Sequence, residues 1–222
     1  MHSLTLANVL AASGTDINNL KIQRHRGQVA LAFGRSDAYA SLGYVGLDAV
    51  AARLATVLTQ TMQQRTLASR IVRDQWGVWC RVVAMAEAAP PAVPCLFYVI
   101  EVEHPNGRKG HVSVASCLDS RDEGNLRAIA ADLRERTGAV ARTFVAVEMH
   151  TILDDVRRNA ERAGFDLSGA FLPPFGDARL DEVLQPYDDA MPDRAVVVFD
   201  GRENVPLRAA GVAAREAMER LH

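Results

Sequence analysis

The sequence predicts a mixed α+β chain: a largely antiparallel sheet built from hairpins and covered by helices, with strand and helix alternating in the C-terminal half. Three observations carry this expectation. The apolar-alternating runs 95–104 and 109–117 flank the turn residues Pro105-Asn106-Gly107. Two helical runs after position 120 each end on a glycine, Gly138 and Gly164. Val196-Val197-Val198-Phe199 is a continuous apolar run of the kind that fills an interior strand.

Taken in order, Thr5 to Ser13 predicts a short helix stopped by Gly14. Leu20 and Ile22, then Val29, Leu31 and Phe33, alternate with polar residues. Joined through Arg24-His25-Arg26-Gly27, they make a hairpin with its apolar side chains on one face and a basic tip. Asp48 caps a long helix in which Val50, Leu54, Val57, Leu58 and Met62 recur at helical spacing. That helix either runs to about Arg70 or breaks near Arg65. Gly77 to Ala86 reads as a strand carrying Trp79, Arg81, Val82 and Val83. Pro90, Pro91 and Pro94 make 87–94 a loop. It is the candidate sub-domain boundary in what otherwise reads as one α/β domain over 1–222.

The central hairpin has a definite register. A bare Asn-Gly turn would pair Glu101 with Val112 and mix the faces. A type I turn with Gly107 as left-handed bulge residue instead sets Tyr98, Ile100 and Val102 with Val112 and Val114. Glu101 then lies beside His111, and Glu103 beside Lys109. Asp122 to Arg136 is an amphipathic helix with Leu126, Ile129, Ala130 and Leu133 inward. Ala139 to His150 is a strand with Val145, Val147 and Met149 on one face and Phe144, Glu148 and His150 on the other. Thr151 to Ala163 is a helix, and Asp181 to Gln185 a short one between proline-bearing loops. The last helix runs from about Pro206 to Leu221. Its seam of Leu207, Gly211, Ala214, Met218 and Leu221 permits close packing against a second copy.

Composition narrows the function classes. The 222 residues are 49% hydrophobic and 23% charged, a globular profile. A net charge of −2 argues against binding nucleic acid through bulk positive charge. The 25 basic residues are almost all Arg, which we read as the codon bias of a GC-rich bacterial genome. Cys80, Cys95 and Cys117 are widely spaced and odd in number, and read as buried thiols in a reducing compartment. No apolar stretch approaches the length of a membrane span, and Met1 to Ser13 lacks the basic start of a signal peptide. The expected location is cytoplasmic.

The polar residues offer one constellation. Glu101, Glu103 and His111 share a hairpin face, and Glu148 and His150 share a face of a later strand. If those strands are neighbours, Glu101, His111, Glu148 and His150 are candidate ligands for a divalent metal. Glu101, Glu103, Glu148 and His150 are then the candidate catalytic groups. The same alternation is also what a half-exposed antiparallel sheet puts on its wet face. Asp200 follows the interior strand where open sheets bind ligands, but Asp200-Gly201 is equally a common turn pair. No phosphate-binding glycine loop, nucleophile elbow or paired-histidine zinc motif occurs.

Three functional readings follow. The leading one is a non-catalytic binding or regulatory protein that recognises a protein partner, and forms a homo-oligomer through the C-terminal helix. The second is a metal-dependent hydrolase or nuclease using the carboxylate and histidine cluster. The third is a nucleic-acid binder using the basic hairpin tips, with Arg24, Arg26, Arg108 and Lys109 as binding residues.

Overall fold

Threonine opens the first helix and glycine closes it. In α1 (Leu6–Ser13) the Asn8 N–H donates to Thr5 Oγ1 at 3.2 Å, and the Thr5 N–H donates to Asn8 Oδ1 at 3.1 Å. This reciprocal box satisfies donors that a helix start otherwise leaves open. Gly14, at φ 66°, closes the other end. The structure is a computed structural model that describes residues 4–16, 44–88, 92–116, 123–169, 171, 196–199 and 204–206. The hairpin expected over 20–33, the helix expected at 181–185, Asp200 and the last helix lie outside these residues.

The described residues divide into two compact units. One is drawn from within Met1–Trp76 and Thr151–Pro174, the other from within Gly77–His150 and Phe175–His222.

The first unit is helical. A single bridge, with the Leu4 N–H donating to the Tyr44 carbonyl at 2.7 Å, joins the approaches to α1 and to α2 (Gly46–Met62). Val45, not Asp48, stands at the start of α2. Asp48 occupies the third helical position and its carboxylate accepts from the Val45 N–H at 2.9 Å. It therefore does the acidic half of a capping box rather than the cap itself. Of the two expected endings, the helix breaks: Gln63 takes the left-handed conformation at φ 56° and α3 (Arg65–Asp74) starts anew. The break follows three threonines, Thr56, Thr59 and Thr61, whose hydroxyls donate to carbonyls four residues back. Such bonds compete with the ladder and bend helices. Leu47, Val50, Leu54 and Leu58 of α2 are buried, as are Ile71 and Val72 of α3.

The helix α6 (Met149–Arg162) enters this unit from Thr151. Arg53 of α2 reaches Asp155 at 2.6 Å, and Asn159 Nδ2 donates to the Ala12 carbonyl at 3.1 Å. Gly164, at φ 81°, closes α6 while the Phe165 N–H donates back to Ala160.

The second unit is built on an antiparallel sheet of order β3-β1-β2-β4-β5. Its strands are β1 (Leu96–Glu103), β2 (Lys109–Ser116), β3 (Val140–Glu148), β4 (Val196–Phe199) and β5 (Asn204–Pro206). The hairpin register is the one expected: Tyr98 faces Val114, Ile100 faces Val112, Glu101 faces His111 and Glu103 faces Lys109. Gly107 has φ 76° and its N–H donates to the His104 carbonyl at 2.8 Å, the bulged type I turn. Leu96, Tyr98, Ile100, Val102, Val112 and Val114 meet Ile129 and Leu133 of α5 (Glu123–Thr137) in one core. The β4 run is an interior strand, between β2 and β5. Pro206, expected at the start of the last helix, lies instead in β5.

One expected element has the wrong type. The segment taken as a strand from Gly77 to Ala86 is α4 (Trp76–Ala88). Val78, Trp79, Cys80, Val82, Val83, Ala84, Met85 and Ala86 are all buried. A helix buried on every side shows no polar stripe, and its β-branched and aromatic residues imitate a strand. Only its length of 13 residues argued otherwise. No helix among the described residues is long and apolar enough to cross a membrane.

The two left-handed glycines that close α5 and α6 should respond differently to alanine. Each takes on about 1–2 kcal/mol of left-handed strain. A Cβ at Gly138 also comes within 2.9 Å of the Pro105 ring, whereas nothing lies within 4 Å of one at Gly164. Gly164→Ala should lower the thermal midpoint by roughly 2–8 °C, and Gly138→Ala by more. Equal shifts would mean that the Pro105 ring does not pack on the α5 cap.

Candidate functional site

The strands that carry the predicted site residues are neighbours, yet their register keeps those residues apart. Glu101 pairs with Thr143 of β3 and with His111 of β2. Glu148 pairs with Leu96, at the other end of β1. The five-residue offset corresponds to roughly 17 Å along the strand. Alternation also puts Glu148 on the face of Leu96, Tyr98 and Ile100, and Glu101 on the opposite face. A register shift between Glu101 and Val102 leaves Arg142 as the extra residue on β3.

Each group has local company. Lys109 Nζ lies 3.3 Å from Glu101 Oε1, and Arg142 Nε donates to Glu103 Oε2 at 3.0 Å. Lys109 is thus diagonal to the carboxylate it meets, and Glu103 is held from the neighbouring strand β3. Arg108 is exposed at the turn, where its N–H donates to Asn106 Oδ1 at 3.0 Å. Arg24 and Arg26 lie outside the described residues. His150 Nδ1 sits 2.8 Å from Glu148 Oε1. His150 was expected on the strand but belongs to the first turn of α6, because the strand ends at Glu148. The Met149 N–H still donates to the Cys95 carbonyl at 2.8 Å. Among the described residues no three His, Cys, Asp or Glu side chains are grouped to hold a metal ion.

The cysteines are placed as expected where described. Cys80 and Cys95 are buried and form no disulfide, and burial pushes the Cys80 thiol well above its ordinary range. A thiol in that state is a poor nucleophile. Cys117 lies outside the described residues.

The backbone of β3 provides a feature that side-chain motifs did not reveal. Among the described strands β3 has a neighbour on one side only. The bond from Met149 to the directly opposed Cys95 fixes the alternation of the ladder. Val145 and Val147 direct their backbone groups to β1. Phe144, Ala146 and Glu148 direct theirs to the outer edge. Beside the N-terminal part of β3 lies an open groove of about 590 Å3, lined by Ala130, Ala131, Arg134 and Glu135 of α5 and by Val140 and Ala141. Val140, one of the residues lining this groove, is 39% exposed. The signal in the sequence was slight: a long strand between two helices with neither proline, glycine nor lysine to blunt it.

Two measurements test this geometry. Glu101→Gln and Glu148→Gln should change stability additively, to within about 0.5 kcal/mol. A coupling of about 1 kcal/mol or more would bring the two carboxylates together. Cys80 should resist a thiol reagent in the native protein and react only on unfolding, so rapid native labelling at that site would contradict its burial. No protein-family model, curated protein or solved structure matches the chain.

Proposed function

We propose that the protein is a non-catalytic binding protein that captures an extended segment of a partner protein along the open edge of β3. The observation that carries this reading is the outward direction of the Phe144 and Ala146 backbone groups. An edge strand offers a row of donors and acceptors, and strand addition satisfies them while adjacent pockets select side chains. The groove lined by Ala130, Ala131, Arg134 and Glu135 of α5 adjoins this edge at Val140 and Ala141, just beyond the bulge. The bulge at Arg142 limits regular pairing to the stretch from Thr143 to Glu148. That is long enough for a segment of five or six residues. In this reading the protein works in the cytoplasm, where its buried thiols stay reduced. The hydrolase and nuclease readings gain no support from carboxylates held at opposite ends and faces of β1. The single described basic tip, with Lys109 beside Glu101, offers little to a nucleic acid.

Selection of a displayed library of random twelve-residue peptides on the intact protein tests the reading. Selected peptides should newly protect the Phe144 and Ala146 amides from hydrogen exchange, while the Val145 and Val147 amides are protected beforehand. Ala146→Pro removes an outward donor and keeps the inner ladder, as proline does on edge strands. It should weaken binding by about tenfold or more, since each hydrogen bond contributes about 0.5–1.5 kcal/mol and the ring also blocks approach. Its thermal midpoint serves as the folding control. Peptides that bind the proline variant equally well, or protect other amides, would reject the β3 edge as the site.

A further inference from the structure

The sheet treats its two described edges differently. β5 is three residues long and carries Pro206, opposite Val197, so that edge is short and lacks a donor. β3 is nine residues long and contains no proline. An edge left long and unblunted is a template for a strand of another chain.

The regular stretch of β3 is complementary to itself. Phe144 and Ala146 direct their backbone groups outwards, and Val145 between them directs its own to β1. A two-fold axis through Val145, normal to the sheet, sets Phe144 of each copy opposite Ala146 of the other. Both members of such a pair point outwards, so each pair exchanges two hydrogen bonds. The side chains agree with this register. Phe144 and Ala146 lie on the α5 face, so in each pair a large ring stands beside an exposed, small side chain. An axis at Phe144 would instead set Ala146 against the bulged Arg142. One at Ala146 would set Phe144 against Glu148, where the strand ends.

Charge supports the same arrangement. The axis at Val145 carries the C-terminal end of each β3 to the groove beside Val140 and Ala141 of the other. Glu148 at that end lies on the α5 face, and of the two exposed charges lining the groove, Arg134 and Glu135, Arg134 suits it. One Glu148 oxygen meets His150, and a carboxylate accepts further bonds.

We propose that the chain forms a two-fold dimer in which the strand added to β3 is β3 of a second copy. The proposal rests on the reading of β3 as a strand-accepting edge and names its occupant. Every residue it uses belongs to the second unit. The contact closes on itself, and each copy ends on its blunted β5, so the joined sheet does not grow further. So few hydrogen bonds make a reversible dimer, with a Kd on the order of micromolar, and the edge is open to a peptide in dilute solution.

Sedimentation equilibrium of the full chain from about 0.5 to 100 µM should show a monomer passing to a dimer. Ala146→Pro should raise the dimer Kd by about tenfold or more, with its thermal midpoint as the folding control. Cross-linking reads the register. Val145 faces its own counterpart in a non-hydrogen-bonded pair, with Cα atoms about 4.5 Å apart and within disulfide reach. Val145→Cys should therefore cross-link on oxidation with copper phenanthroline. Thr143→Cys, roughly 13 Å from its counterpart, and the wild type should not. If Ala146→Pro fails to fold, the cross-link remains decisive. A dimer that Ala146→Pro leaves intact, or cross-linking of Thr143→Cys as efficient as that of Val145→Cys, would overturn the proposal. So would a monomer across the whole range; selected peptides that still protect its Phe144 and Ala146 amides would then leave strand addition standing and reject only the second copy as occupant.

Discussion

The second unit depends on β1 being enclosed. Phe97, Tyr98, Val99 and Ile100 are each at most 1% exposed, so both faces of the strand are dry along its middle. With β2 on one side and β3 on the other, its backbone groups are satisfied within the sheet. Polar side chains are therefore confined to the last turn-proximal positions, Glu101 and Glu103, where burial relaxes. A strand of this kind leaves no room for a carboxylate cluster at mid-sheet. It pushes recognition to the borders of the sheet.

What was legible in the sequence was local. Asn106-Gly107 and the alternation on either side determined both the turn and the register, because a one-residue slip exchanges the two faces. Gly138 and Gly164 marked helix ends for the same reason: only glycine adopts that conformation without strain. The helix from Trp76 to Ala88 was illegible because burial on all sides removes the periodicity that separates helix from strand. Gln63 shows the same limit, since left-handed geometry at a glutamine has no sequence mark.

The candidate site was less legible than the fold. Glu101 beside His111 could be read from hairpin register, which is a relation between adjacent strands. The separation of Glu101 from Glu148 depends on how β3 aligns with β1, across an intervening strand and helix. Nothing in 101–148 encodes that alignment locally. The feature that now matters most is a backbone edge among the described strands. It is a property of what stands beside a residue, and a linear pattern does not record neighbours.

The first unit is assembled from distant stretches of chain, with much of the second lying between them in sequence. Asn159 bonds to the Ala12 carbonyl across 147 positions, and Arg53 meets Asp155 across 102. During synthesis at about 5–20 residues per second, α1 to α3 emerge on the order of ten seconds before the helix that ties them. In that interval β1, β2 and α5 emerge in turn, and β3 follows last, directly before α6. The β1–β2 hairpin and α5 of the second unit thus have the opportunity to pack together while the first still waits for α6. The order of birth along the chain favours the unit that is second in name.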